Sequence, residues 1–234
     1  MKLAELFDQL VYGELANTVI GKQGINRDNH ASMVTHINLG LYELYKRFNL
    51  KKDYVIVQQY AVVSEYTLST KYALSNTDSL TSVKYIVDNK GKPFKDNILK
   101  IETIENIIEE EPFIVGQLNN PESIQLNTLT SFTVPKPKDG LMMKVVYRAN
   151  HDRIIVDTAD LLNQEIELPI THLESLLLYV ASRYHGSLPS IDGVNEGAYY
   201  LSKFERSCAK ISELGLAIKE EDTNYRIGNN GWNW

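Results

Sequence analysis

A chain of 234 residues with 43% hydrophobic and 23% charged side chains has the composition of a folded protein with room for one large or two modest cores, not of a disordered or membrane protein. Its net charge of −6 argues against a basic face that grips nucleic-acid phosphates. A single cysteine, Cys208, excludes an intramolecular disulfide framework and a cysteine-rich metal site.

Residues 1 to about 49 read as two helices. The opening stretch MKLAELFDQLVYGELANT is interrupted by Glu5, Asp8 and Glu14, so it reads as a helix and not as a signal sequence. No apolar run approaches bilayer-spanning length. The protein is expected in a cytoplasm, or to leave it by a route such as cell lysis. In RDNHASMVTHINLGLYELYKRF, Val34, Ile37, Leu41, Leu44 and Phe48 recur at three- and four-residue steps. That predicts one continuous helical face, with Asn26 or Asp28 as cap and IGKQGIN as the preceding loop.

From about residue 50 the character changes. DYVIVQQYAVV has the β-branched and aromatic content of a strand. VKYIVDNKGKPFKDNILKIETI reads as strand, glycine-containing turn, strand. SFTVPKPKDGLMMKVVYRAN reads as a second hairpin turning at Asp139-Gly140, with Leu141, Met143, Val145 and Tyr147 alternating on the return strand. Short strands between turn signals point to an antiparallel sheet or sandwich rather than βαβ units.

Helices return with LPITHLESLLLYVASRYHG, where Thr171 and Glu174 fit a capping box after Pro169 and Gly186 supplies a stop. NEGAYYLSKFERSCAKISELG follows, with Tyr200, Phe204, Cys208, Ile211 and Leu214 at helical spacing. Cys208 lies on the apolar side and reads as a buried, inert thiol. The expected fold class is α+β. Residues 1–49 and 169–218 form a helical bundle from both chain ends, and 50–168 form an inserted, β-sandwich-like antiparallel domain. Residues 219–234 form an extended C-terminal arm.

Catalytic patterns are missing from the sequence. It has no phosphate-binding glycine loop, no His-Glu-x-x-His and no nucleophile elbow. His30 and His36 are six residues apart and off one helical face, so neither they nor the scattered His151, His172 and His185 suggest a metal site. IENIIEEEPF gathers Glu105, Glu109, Glu110 and Glu111, which reads as a solvated acidic loop. Glu165 and Glu167 flank Ile166 on one face of a short extended piece. No catalytic residue, metal or cofactor is expected. Fourteen tyrosines are many, and Tyr179, Tyr184, Tyr199 and Tyr200 on the last helices are candidates for a subunit interface or for core packing.

Two N-terminal helices with HINLGLYELYKRF, a β insertion with VVYRANHDRI, then ELPITHLESLLLYVASRYHG and a further helix resemble the head–tail connector, or adaptor, proteins of tailed bacteriophages. The resemblance implies a structural virion protein at the head–tail interface, assembled in the host cytoplasm as a ring, typically of twelve copies, beneath the portal. Such a ring extends the DNA channel, docks the tail and helps retain and release the genome. Its partners would be the portal protein, neighbouring copies of itself and a tail or nozzle protein, with DNA passing through unbound and no membrane involved.

Both tryptophans fall in the last ten residues, YRIGNNGWNW. Gly228, Asn229, Asn230 and Gly231 disfavour helix there. A flexible strap ending in indoles can order on a partner as a hot spot, which makes Tyr225, Ile227, Trp232 and Trp234 candidate contacts to the portal or a neighbouring subunit. Two other readings stand beside this one. One is a phage structural protein with a cell-wall hydrolase activity drawing on the Glu109–Glu111 carboxylates. The other is a ligand-binding module with a β recognition domain, which would be a stable monomer.

Overall fold

The protein is described by a computed structural model that covers residues 1–108, 112–117 and 120–216. Helices and two antiparallel sheets make a mixed α/β chain. Its internal contacts divide it into a helical unit, Met1–Leu50 with the chain from Ile154 onward, and a β unit, Lys51–Arg153.

In the helical unit, α1 (Leu3–Tyr12) buries Leu3, Leu6, Phe7 and Leu10, the i, i+3, i+4, i+7 stripe of an amphipathic helix. The expected loop before the next helix holds a short helix, α2 (Val19–Gln23), because Thr18 Oγ1 accepts from Gly21 N–H at 3.1 Å and caps it. The long helix α3 (Arg27–Arg47) starts at Asn26, which accepts from Asp28 N–H at 3.0 Å while Asn29 Oδ1 returns a bond to Asn26 N–H at 2.8 Å. Its face Met33, Val34, Ile37, Leu41, Leu44 and Tyr45 is buried. Gly40 lets α4 (Leu173–Gly186) approach closely: a Cβ there would stand 2.7 Å from Leu176 Cδ1.

Helix α5 (Ile191–Glu213) packs along α4 through Gly193, Gly197, Phe204, Cys208 and Ile211. A Cβ on Gly197 would meet the Gly186 backbone at 2.8 Å, so two glycines set that crossing. The expected capping box at Thr171 and Glu174 does not form. The chain after Pro169 makes a 3₁₀ turn over Ile170–His172, α4 begins with no side-chain cap, and the Thr171 hydroxyl lies 3.0 Å from His172 Nδ1.

The β domain was expected to run to residue 168, but the chain leaves the β unit at Arg153. From there its polar groups are satisfied by the helical unit. Asn38 bonds both Ile154 N–H and Ile154 C=O at 3.0 Å, Leu3 N–H donates to Gln164 C=O at 3.0 Å, Ile166 N–H donates to Met1 C=O at 2.7 Å, and the Tyr45 hydroxyl donates to Glu167 C=O. Buried backbone groups need such partners, and these lie on α1, on α3 and at Met1 just before α1.

The β unit has strands β1 (Lys52–Gln58), β2 (Glu65–Thr67), β3 (Ile86–Val87), β4 (Ile98–Asn106), β5 (Gln125–Leu126), β6 (Ser131–Thr133) and β7 (Met142–Ala149). They form a four-stranded sheet ordered β3-β1-β7-β4 and a three-stranded sheet ordered β2-β6-β5. Neither expected hairpin forms. β3 and β4 sit on opposite edges of the first sheet, and β6 and β7 belong to different sheets. Two prolines explain the second case: Pro135 and Pro137 cannot donate to a ladder and extend the residue before them, so the chain leaves one sheet and enters the other. In the first case β1 and β7 pair over seven residues, Lys52↔Arg148 to Gln58↔Met142, and occupy the centre.

Alternation along β7 holds, with Met143, Val145 and Tyr147 buried. Side chains of both sheets share one core. Tyr66 is its centre, stacked on Phe132 with ring centroids 5.5 Å apart and edge-on to Tyr85 at 5.0 Å. The buried phenols are satisfied: Tyr66 accepts from Tyr60 N–H at 3.0 Å, and Tyr85 both donates to Thr67 C=O and accepts from Thr67 N–H at 2.8 Å.

Candidate functional site

Two surfaces stand out, one in each unit. In the helical unit, Ile191, Val194 and Leu201 lie along one flank of α5 at i, i+3 and i+10 and are 81%, 58% and 45% exposed. They continue the apolar face of α5 past the line that meets α4. Helix amphipathicity normally turns such positions toward a partner.

The tyrosines expected at an interface divide. Tyr179 is half-buried, edge-on to Phe204 at 5.1 Å, and burial pushes its hydroxyl pKa up. Tyr200 stacks on the buried His185 ring at 5.2 Å and donates to Glu14 C=O at 3.1 Å, while Tyr184 sets its edge on the same imidazole at 5.5 Å. His185 Nδ1 lies 2.6 Å from Glu196 Oε2. Those three rings are engaged within their own unit. Tyr199 is 55% exposed, with the Lys203 ammonium 4.9 Å from its ring centroid. Tyr225, Ile227, Trp232 and Trp234 lie outside the described residues.

Beside the α5 stripe, Arg47 at the end of α3 forks onto Glu205, with Nη2 2.7 Å from Oε1 and the guanidinium 4.9 Å from the Phe204 ring. That hydrogen bond holds the Glu205 carboxyl below its usual range and the Arg47 guanidinium above it. Cys208 is buried close by, and burial raises its thiol pKa, the condition of an unreactive thiol.

The β unit contains a cavity of about 400 Å³. It exists because β3 pairs with β1 only at Ile56 and Val57, after which the chain swings away and leaves Lys51 and the β1 edge from Asp53 to Val55 facing a gap. Asp88 fixes the departing loop: it accepts from Ser75 N–H at 2.8 Å, from the Ser75 hydroxyl and from Phe94 N–H at 2.9 Å. Burial opposes its ionisation, but these bonds outweigh burial and hold its pKa below the usual value. Asn89 Oδ1 accepts from Gly91 N–H and Lys92 N–H, both at 2.9 Å, and closes a tight turn.

Three lysines, Lys51, Lys92 and Lys95, and three aspartates, Asp53, Asp88 and Asp152, line this cavity. Lys95 bonds Asp152 at 2.8 Å, which holds that carboxyl below its usual pKa. Lys92 and Asp53 stand 3.4 Å apart, and Lys51 and Asp152 4.0 Å apart. Lys92 also lies over the Tyr54 ring, 4.8 Å from its centroid. Deeper in, the Tyr147 hydroxyl donates to Asn97 Oδ1 at 3.3 Å, and burial raises its pKa.

Of the acidic groups singled out in the sequence, Glu105 bonds Lys144 at 2.9 Å on neighbouring strands, and Glu165 and Glu167 are exposed on the segment that crosses to α1 and α3. Glu109, Glu110 and Glu111 lie outside the described residues. Among the described residues no group of three His, Cys, Asp or Glu side chains is placed to hold a metal ion, and no helix is long and apolar enough to cross a membrane.

Sequence reasoning missed both surfaces. The α5 stripe was legible in the spacing of Ile191, Val194 and Leu201, behind the cap Ser190, whose Oγ accepts from Gly193 N–H at 3.0 Å. The cavity left one trace, the lysine-rich NKGKPFK. No protein-family model matches the chain, and no curated protein matches it.

Proposed function

We propose that the protein is a structural component of a tailed-phage virion, an adaptor that assembles as a ring between portal and tail, extends the DNA channel and helps retain and release the genome. The observation that carries this reading is the apolar stripe Ile191–Val194–Leu201, exposed on the last described helix of the helical unit. A single subunit gains nothing from exposing three aliphatic side chains in line, whereas a neighbouring copy in a ring would cover them. In this reading the helices form a bundle, and residues 219–234 are an arm whose Tyr225, Ile227, Trp232 and Trp234 anchor on the portal or a neighbour.

Charge supports the same picture. The β unit carries 13 Lys and Arg against 13 Asp and Glu, so the whole excess of negative charge falls in the helical unit, 11 against 17. A channel wall of that sign repels DNA phosphates, whose binding needs cationic contacts. The test is to mix the purified protein with portal rings from the same genome and image the product, with a version lacking residues 225–234 alongside. An added ring on the portal, lost on truncation, is the expected result. Portals left bare by the full chain would contradict the proposal, as would tight, salt-sensitive binding of duplex DNA by the free protein.

A further inference from the structure

We infer that the cavity beside β1 is a binding site for a neutral saccharide. The inference rests on the β unit alone and is independent of the adaptor reading. Three features carry it. The first is charge balance. Three ammonium groups face three carboxylates, so the site offers no net attraction to an ion, yet it is dense in donors and acceptors. A ligand that matches it carries no net charge and both donates and accepts, which is the chemistry of a polyol.

The second feature is spacing. A direct ammonium–carboxylate bond closes to about 2.7–2.9 Å, as Lys95 and Asp152 do. Lys92 donates to Asp53 Oδ1 only at 3.4 Å, a long hydrogen bond. When the Lys92 side chain swings outward and that long bond opens, a sugar hydroxyl can enter in its place, accepting from the ammonium and donating to the carboxylate, and each bond polarises the other. At the other end of the cavity Asp152 Oδ2 takes the Lys95 bond, with the Lys51 ammonium 4.0 Å away. Deeper in, Asn97 and the Tyr147 hydroxyl add an amide and a phenol.

The third is the aromatic wall. Tyr54 lines the cavity and is half-exposed, and the Lys92 and Lys144 ammoniums lie over its ring. The negative face of an aromatic ring attracts positively polarised hydrogen. The C–H groups on one face of a pyranose are of that kind, and they can take the place of the Lys92 ammonium when Lys92 turns to a hydroxyl. Lys92 is 68% exposed on its side chain, so that movement disturbs no packing.

The test is a titration of the ¹⁵N-labelled full chain with four probes, the methyl glycosides of glucose, galactose, mannose and N-acetylglucosamine, and separately with sodium phosphate. Saturable shifts of the Tyr54, Gly91 and Asn97 amides by at least one glycoside are expected, with a dissociation constant of order ~1 mM for a single ring. Phosphate should leave those amides unmoved. Lys92→Ala and Asp53→Asn should each weaken binding by about tenfold with the remaining spectrum unchanged, and Asp53→Asn, which keeps the side-chain size, stands alone if Lys92→Ala perturbs the loop. No saturable shift from any of the four glycosides would overturn the inference, and so would saturation of the same amides by phosphate.

Discussion

The two units solve the same problem in opposite ways. The β unit closes on itself: Tyr66, Tyr85 and Phe132 pack in its core, the buried phenols of Tyr66 and Tyr85 bond its own backbone, and its formal charges cancel. The helical unit stays open. It keeps an apolar stripe on α5 in solvent and carries the chain's entire charge excess. The β unit also exposes Val62, Leu80, Ile108 and Leu129, but singly and in turns and loops, which is ordinary for a surface, whereas aliphatic side chains in line along one helix together with uncompensated charge are what a surface shows when its partner is elsewhere. That contrast, rather than any single residue, supports assigning assembly to the helices and recognition to the sheets.

The largest effects should come from the two cores. Phe132→Ala in the β unit and Phe204→Ala in the helical unit remove fully buried rings and should each cost about 3–5 kcal/mol. If the units are as self-contained as the contrast implies, urea melts should show Phe132→Ala acting on the tyrosine near-ultraviolet signal and Phe204→Ala acting first on helical ellipticity. Gly197→Ala should cost about 1–3 kcal/mol by overpacking, since its new Cβ meets the Gly186 backbone at 2.8 Å. A thermal melt of that variant would read the loss.

Acid should separate the units next. Burial holds the imidazoles of His36 and His172 below their ordinary pKa of 6.5, and at His36 the Arg183 charge pushes the same way. Their unfolded forms therefore bind protons that the folded forms refuse. The helical unit should lose stability as pH falls below about 6.5, and above that pH these groups contribute no slope. In the β unit, Asp88 and Asp152 titrate below their ordinary 3.8. Their stabilisation is complete above that pH and disappears only as pH falls through the lowered values. Ellipticity melts at pH 7, 5.5 and 4 should show the helices weakening first, and His172→Gln should flatten the early slope.

The smallest effect on stability should come from Arg47→Ala, about 1 kcal/mol, because its pair with Glu205 is half in water and its stacking on Phe204 adds a comparable term. Raised salt should shrink the difference between Arg47→Ala and the unaltered protein.

What could be read beforehand follows from how local each feature is. The stripe of α3, the α5 line through Phe204, Cys208 and Ile211, and the alternation of β7 are each local in the sequence and are present, whereas Leu214, expected on the same α5 line, follows the helix and is 61% exposed. Strand partners are not local. Asp139-Gly140 does turn, with Gly140 at φ +79°, and Asn89–Lys92 does close a tight turn, yet neither turn joins paired strands, because β1 and β7 claim each other across more than eighty residues. At Thr171 the motif was right and the backbone was not, since Pro169 starts a 3₁₀ turn that spends the hydroxyl elsewhere. The cavity was least legible, because β1, the Asp88–Asn97 loop, Tyr147 and Asp152 meet there only after folding. Tyr179 and Tyr200 stood open between interface and core packing for the same reason: that Phe204 and Glu14 await them cannot be seen from their own helix.

The account turns on the α5 stripe, and one measurement addresses it directly. A Val194→Lys, Leu201→Lys double variant should keep the helical ellipticity and melting temperature of the unaltered protein, because both positions already face solvent. Mixed with portal rings and imaged beside the unaltered chain, it should fail to form the added ring that the unaltered chain forms. A double variant that decorates portals as completely as the unaltered chain would contradict the claim that this face is where copies meet.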